Sequence, residues 1–526
     1  MIDNIICAPL YTKSYGFVPR GAIAIQHNRI VAVGDAAHIR TYATARTRIE
    51  THPDTTILIP SFCDSHQHFL SYIRGRVERL SLWDATSLYE VFRRVQTRTN
   101  TLSPHSWIIA DGHDQGRYRE QRHPTLAELD AIAPNHPLLI HRACHHIALA
   151  NSCALAIAGI TSQTAQPDGG RIGKLSDGSL SGILEESARA LVTTHIQLPE
   201  IAWYDHIPSA TFEYHKRGIT AIGEAAIGHI NGLNDLHVMQ TAHAAGQLPL
   251  RVSYMGYGEV AHAWLRNEHR VIHDDWQNAP IIKYFVDGTL GGESAWLSQP
   301  YRHSPTNVGY SLYSDDMLCH AVAQAHTAGY QVAIHAIGDA AVAQVLDAYA
   351  HVLAKHPRHD HRHRIEHVEV IRAGLPVLFK QHNIIAAVQP LFTWFEESDV
   401  AQVPDDLMPY AHAWKMLADQ GVQLAFGSDN PVVPDFTPVK GIAAAIQRCN
   451  YSGKSINPSQ ALPWQQALNA YTIESAWSIR REDLFGDLLP GMAADFVILD
   501  NQFTCDDIAS INVLETWLDG QCVFRA

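Results

Sequence analysis

Short apolar runs alternate with longer amphipathic segments along most of this chain. The pattern changes character at the two ends. Near the N-terminus, Ala22-Ile23-Ala24-Ile25 and Arg29-Ile30-Val31-Ala32-Val33 flank Gln26-His27-Asn28, which predicts a β-hairpin. The C-terminal segment reads the same way, with strands over 495–499, 513–518 and 521–524 and a turn at Asp519-Gly520. Neither end carries enough strands for a sheet of its own, and chain termini often lie close together. One composite β-sandwich from residues 1–56 and 485–526 is therefore expected. Between the ends, β-type and helix-type segments alternate, the mark of a parallel α/β architecture. Strands are predicted at 56–60, 220–223, 250–255, 281–286, 331–334, 363–365, 384–388 and 423–426, with helices such as 315–328 and 339–355 between them. Eight such units predict a closed (β/α)8 TIM-type barrel over 57–85 and 205–484. The gap from strand one to strand two is too long for one βα unit. Residues 86–204 are read as an insertion covering the active site, with a helix at 87–99, strands at 107–110 and 138–141, a helix opening near Asn151, and a hairpin from Asp168 to Gly178.

Composition narrows the function classes. The chain has 526 residues, 46% hydrophobic and 17% charged, as in a compact globular protein. A formal net charge of -14 argues against a general nucleic-acid or anionic-membrane binder. No long apolar run predicts a membrane span, and no basic leader followed by an apolar stretch predicts a signal peptide. Eight cysteines without a C-x-x-C pair read as reduced thiols in a cytoplasmic protein. The expected partner is a small-molecule substrate; a homodimer is the assembly considered.

The chemistry begins at His66-Gln67-His68, directly after an apolar run. Residues i and i+2 of a strand face the same side, so two imidazoles can hold one metal ion, of which zinc is the first choice. With 33 histidines in the chain, the spacing alone is weak; it recurs at His359, His361 and His363, where no metal is assigned. In a barrel of this kind the active site lies at the C-terminal strand ends. Lys283 stands there on strand four, His335 on strand five, His367 on strand six and Asp429 after strand eight. A lysine in an apolar strand loses charge easily, and a neutral amine can add carbon dioxide to become a carbamate. The competing reading packs the Lys283 stem on the strand with its head reaching solvent or an acid.

These motifs resemble the amidohydrolase superfamily, and within it the amidohydrolase-3 branch that includes N-substituted formamide deformylase-like proteins. The resemblance runs over nearly the whole chain. It is carried by the run from Pro60 to His68, Lys283-Tyr284-Phe285-Val286-Asp287-Gly288-Thr289, His335-Ala336-Ile337-Gly338-Asp339, Arg364-Ile365-Glu366-His367, Gly427-Ser428-Asp429-Asn430-Pro431, and the run from Gly491 to Leu499. It implies that His66 and His68 bind the more buried of two divalent metals and that carboxylated Lys283 bridges both. It further implies that His335 and His367 bind the second metal, and that Asp429 contacts the first and takes the proton of the attacking water. His146 and Asn151 match a His-to-Asn-Ser element near the substrate. The segment 107–112 departs from the branch's usual Trp…Gly…Gly. Glu224 stands where relatives often have aspartate, and either faces the site or forms a structural salt bridge.

The expected function is metal-dependent hydrolysis of an amide-type C–N bond. The alternatives are a mononuclear deaminase of an aminated ring, whose family members carry a glutamate where this chain has Gly338, and a non-catalytic binding protein on the same barrel. Loops after strands four and seven supply Trp296, Tyr301, Phe392, Trp394 and Phe395. They make Trp296 and Trp394 candidates for substrate binding, against the plainer reading that these rings pack the loops.

Overall fold

The computed structural model describes residues 2–526 apart from 143–146, 168–169, 197–201, 270–272, 396, 451 and 505–506. It divides into two compact units, Met1–Leu70 with Tyr204–Ala526, and Ser71–Trp203.

The first unit holds the predicted barrel. Its strands are β1 (Phe62–Gln67), β2 (Ile219–Ile227), β3 (Arg251–Gly256), β4 (Gln277–Phe285), β5 (Gln331–Ala336), β6 (Arg364–His367), β7 (Ile385–Val388) and β8 (Leu424–Phe426), each hydrogen-bonded to the next in a parallel sheet of eight. Most are buried on both faces, which is why they read as apolar runs rather than as alternating patterns. β1 and β8 close the barrel through contacts past their ends: the Asp429 N–H donates to the His66 carbonyl (2.8 Å), and the His68 N–H to that of Asn430 (2.8 Å). Gly427 is required there, because a Cβ would lie 2.7 Å from the His66 nitrogen.

One predicted strand moves to another sheet. The run at 56–60 was expected to open the barrel. Instead Ile57–Pro60 pairs antiparallel with Phe496–Leu499 and, through Leu58, with Leu10. An apolar strand buried on both faces suits either sheet, so its pattern could not choose between them. Pro60 has no N–H to continue a ladder, and the barrel starts afresh at Phe62. The N- and C-terminal strands form a four-stranded and a six-stranded sheet, the latter mixing Leu10–Thr12 and Gly16–Val18 with Phe496–Leu499, Val513–Leu518 and Gln521–Arg525. Their shared core includes Ile6, Ile23, Ile25, Leu58, Phe496, Ile498 and Trp517.

A buried ion pair joins barrel and end sheets. Arg251, which starts β3, donates from Nε and Nη2 to Asp495 (2.6 and 3.1 Å), from Nη2 to Asp519 (3.1 Å) and from Nη1 to the Asp275 carbonyl (2.9 Å). Arg251 and Asp495 are both 1% exposed.

At the opposite end of β6 from His367, the repeated histidines form a chain whose tautomers are determined. The Val332 N–H donates to His363 Nδ1 (3.0 Å), so His363 Nε2–H donates to His326 Nδ1 (2.8 Å) and His326 Nε2–H to the His356 carbonyl (2.8 Å). The His363 N–H donates to His361 Nδ1 (2.9 Å), and His361 Nε2–H to the His382 carbonyl (3.0 Å). Every acceptor nitrogen is occupied, so each ring is neutral.

The second unit is a six-stranded sheet in the order Gly170–Lys174, Leu180–Glu186, Ile147–Ala150, Leu138–Arg142, Ile108–His113, Arg79–Ser81. The helix predicted at 87–99 is Leu88–Thr99, with Ser87 as its N-cap. Leu82, Val91, Val95, Ile108, Leu138 and Ile140 form much of the core. Among the described residues no helix is long and apolar enough to cross a membrane.

Two stability predictions follow from these contacts. Asp495→Asn should lower unfolding stability by up to about 3–5 kcal/mol, read from urea denaturation, because it removes the buried partner of the Arg251 charge and leaves only the partly exposed Asp519; an unchanged midpoint would remove the pair from the account. In the histidine chain, burial pushes His361 down to about 4 and His363 well below the ordinary value. Unfolded histidine titrates near 6.5. The chain's stabilisation is thus complete above pH 6.5 and is lost as pH falls from there towards 4, since the unfolded state binds the extra protons. His361→Gln keeps one acceptor and one donor but cannot titrate, so its stability should fall less steeply with pH over that window, by about 1.4 kcal/mol per unit.

Candidate metal centre

β1 ends with His66 pointing into the barrel mouth and His68 one step beyond. Nε2 of His66 lies 3.3 Å, and Nε2 of His68 3.0 Å, from Oδ1 of Asp429. One ligand atom from each of these three residues falls within 4.8 Å of the other two. Asp429 adopts a left-handed conformation (φ 56°), as does His367 (φ 75°). Such backbone is uncommon for residues with a side chain and gathers at functional sites. His367 and His335 complete the mouth. Their ring centroids are 4.4 Å apart, and His367 is 5.0 Å from His66.

Three of the four imidazoles have one nitrogen tied down. His66 Nδ1 contacts Glu366, whose carboxylate is gripped by Arg364 at 2.5 and 2.9 Å. His367 Nδ1–H donates to Gln389 Oε1 (2.9 Å), and His335 Nε2–H to the Gly288 carbonyl (3.0 Å). In all three rings the other nitrogen remains available to a metal, the arrangement that orients metal-ligating histidines. Burial pushes His335 down to about 3, helped by Lys283, and holds His367 well below its ordinary range, helped by His335. Both are therefore neutral and able to ligate. Burial works against the Asp429 carboxylate, but His66 and His68 outweigh it and hold the group well below its usual range.

Lys283 is 1% exposed. Among the described residues its Nζ has no hydrogen-bond partner, and it sits 4.8 Å from the Phe285 ring centroid. The reading in which its head reaches solvent is not what the structure shows. Burial pushes the amine down to about 8, against the opposing pull of Glu366 and Asp429. An orphaned buried amine beside neutral imidazoles and an ionised aspartate fits a divalent-metal centre: the donor set is N/O, as zinc and similar ions take it.

Other expectations fare differently. Among the described residues Glu224 has no salt-bridge partner. It accepts from Gln67 Nε2 (2.7 Å) and the Phe69 N–H (2.7 Å), and Gln67 is bonded in turn to the Tyr214 hydroxyl (2.6 Å), which accepts from Asn430 Nδ2 (2.8 Å). The group thus braces the segment that carries His68, and burial raises it to about 7. Asn151 is the N-cap of Ser152–Ile157. Its Oδ1 accepts from Ala154 and Leu138, and its Nδ2 donates to the carbonyls of Ala133 and His136. That uses its full hydrogen-bonding capacity and leaves none for a substrate. His146 lies outside the described residues. Trp394 packs with Leu391, Phe392 and Val433. Trp296 is fixed through its backbone, donating to Asp287 and accepting from Ala340. Of these loop aromatics Phe392 lies against the site, stacked on His367 at 6.2 Å and 6°; Phe285 of β4 lies 5.2 Å from His335.

Sequence reasoning quoted Asp64, Arg364 and Glu366 as motif letters without assigning them work, and missed Gln389. Asp64 accepts from the Ser428 N–H (2.9 Å) and hydroxyl (2.5 Å) and from the His66 N–H (3.3 Å). The signal available was polarity inside strands buried on both faces.

Comparison with known proteins agrees with this geometry. Residues 56–524 match the Amidohydrolase family. Protein YtcJ of Bacillus subtilis (strain 168) is 29% identical over 518 residues, covering 96% of each chain. N-substituted formamide deformylase of Arthrobacter pascens is 25% identical over 526 residues, covering 95% of this chain and 94% of its own. The crystal structure of an uncharacterized metal-dependent hydrolase from Pyrococcus horikoshii ot3 shares the fold, with a TM-score of 0.75 at 24% identity over 96% of this chain and 99% of that one. With its family matched from the end of the N-terminal strands almost to the last residue, and an eight-stranded barrel carrying the motif residues at one mouth, the chain belongs to the Amidohydrolase family.

Proposed function

We propose that this protein is a metal-dependent hydrolase that cleaves an amide-type C–N bond of a small molecule. The observation that carries the reading is the convergence of His66, His68 and Asp429 beside a buried, unpartnered Lys283. His66, His68 and Asp429 would hold one divalent ion, and His335 and His367 a second. The Lys283 amine would add to the carbon of carbon dioxide and lose a proton, giving a carbamate that serves both sites. Bound there, zinc supplies Lewis acidity, lowering the pKa of water from 15.7 towards about 7.

The chain's own residues do the rest. Glu366 and Gln389 hold His66 and His367 in one orientation each. Asp429, ionised and aimed at the same point as the two histidines, takes the proton of the attacking water and returns it to the leaving nitrogen. A relative named N-substituted formamide deformylase makes N-substituted formamides the first substrates to try. Phe392, stacked on His367, favours a substrate with an apolar part. Ring deamination is disfavoured by position 338: a Cβ there would lie 2.0 Å from the Trp296 carbonyl oxygen, so the glutamate of family deaminases has no room.

Metal analysis after purification in clean buffer, joined to a hydrolysis screen over N-substituted formamides and related amides, tests the reading. Retained zinc with amide cleavage is expected. A protein that holds no metal, or that releases ammonia from aminated rings instead, would overturn it. Asp429→Asn should lower kcat by roughly 10²–10⁴-fold with an unchanged circular dichroism spectrum, and near-full activity would remove its role. Wild-type protein grown with ¹³C-bicarbonate should show a carbamate carbon by NMR that Lys283→Met lacks, together with a lower metal content; equal metal content would remove Lys283 from the centre.

A further inference from the structure

A second buried cation lies outside the metal centre. Arg448 follows helix α2 (Pro438–Gln447) as its C-cap, in a left-handed conformation (φ 52°). It is 0% exposed. Nε donates to the carbonyls of Ile456 (3.1 Å) and Asn457 (3.3 Å), whereas Nη1 and Nη2 are buried without an acceptor among the described residues. The guanidinium carbon lies 4.3 Å from the ring centroid of Trp414, the first residue of helix α1 (Trp414–Asp419). Trp414 is also fully buried, and its Nε1–H has no acceptor. His412 meets the Trp414 ring edge-on at 5.6 Å, and its Nε2 is buried and unpartnered as well. Three neighbouring side chains thus present polar nitrogens with nothing to receive them.

Among the described residues no carboxylate pairs with Arg448. Burial pushes its guanidinium down to about 9 with no opposing acid, and burial together with the Arg448 charge takes His412 down to about 3, so that ring is neutral. Buried polar groups are nearly always hydrogen-bonded, and buried charges are paired. Water would satisfy the donors but leave the charge; an anion does both. The enclosure of all three side chains restricts the occupant to a small one.

We propose that Arg448, Trp414 and His412 form a binding site for a small inorganic anion of halide size, with Arg448 supplying the charge. The site joins two loops. Asn457 Nδ2 donates to the carbonyls of Pro409 and Ala411, and the Ile456 N–H to that of Arg448. Anion binding therefore reads out as stability, since a ligand of the native state alone raises it by mass action.

The test uses the whole chain. Crystals soaked in sodium bromide should show an anomalous peak within hydrogen-bonding reach of the Arg448 Nη atoms. Raising chloride from 5 to about 200 mM at constant ionic strength, with gluconate as the balancing anion, should raise the melting temperature by about 2 °C. Arg448→Met should abolish that dependence. Trp414→Phe, which keeps a ring but removes the donor, should weaken halide affinity several-fold and guards against an Arg448 variant that does not fold. Wild-type crystals with water but no bromide at the cluster, melting that is equal in chloride and gluconate, or stabilisation by formate without any by halide would overturn the proposal.

Discussion

Everything at the barrel mouth depends on how β8 meets β1. Other neighbouring strands share a backbone ladder; this last pair is closed by contacts past the strand ends. Asp64 receives two hydrogen bonds from Ser428 and one from the His66 N–H, and the His66 carbonyl receives the Asp429 N–H. Burial raises Asp64 to about 6, with those donors opposing it. The clasp sets His66 and Asp429 in one frame, so the distance between a histidine near the chain's start and an aspartate some 360 residues later is fixed by four hydrogen bonds. Gly427 permits the approach. A looser seam would leave the two ligand groups on independently moving strands, and sites of this kind tolerate little displacement.

Charge at the mouth is arranged in layers. Arg364 and Glu366 form a fully buried pair within β6, and Glu366 spends its remaining capacity on His66. Further out, His335 and His367 are neutral because their surroundings are dry and because Lys283 is near. Asp429 keeps its charge through His66 and His68. The result is a pocket of lone pairs with one anion, framed by residues that orient the rings without competing for their second nitrogen.

Much of this was legible along the chain. The barrel strands were found because each is an apolar run bounded by polar loops, and seven of the eight fall within a few residues of their predicted positions. The eighth, 56–60, belongs to the end sheets, because an apolar strand carries no mark of which sheet buries it. The histidines, Lys283 and Asp429 were visible as polar residues at strand ends. The roles of Glu366 and Gln389 were not, because their work depends on which strands face one another across the barrel. Asn151 misled for a related reason: an Asn before a helix is both a motif letter and an N-cap, and only the contacts show that capping takes all of its bonds. The repeat at His361 and His363 has the spacing of a ligand pair, yet a backbone N–H occupies one nitrogen of each ring.

Lys283 and Arg448 show how the same observation leads to different chemistry. Both are cations in a dry interior with nitrogen atoms that no acceptor among the described residues receives. Lys283 feels two carboxylates, Glu366 and Asp429, and has a pKa low enough for the amine to lose its proton, so the chain can relieve the burial by neutralising or modifying the group. Arg448 has no acid to oppose its burial, and a guanidinium stays protonated in proteins. Relief there has to come from outside the chain. The difference lies in the side chain's own acid–base chemistry: a buried lysine can become a ligand, whereas a buried arginine can only acquire one.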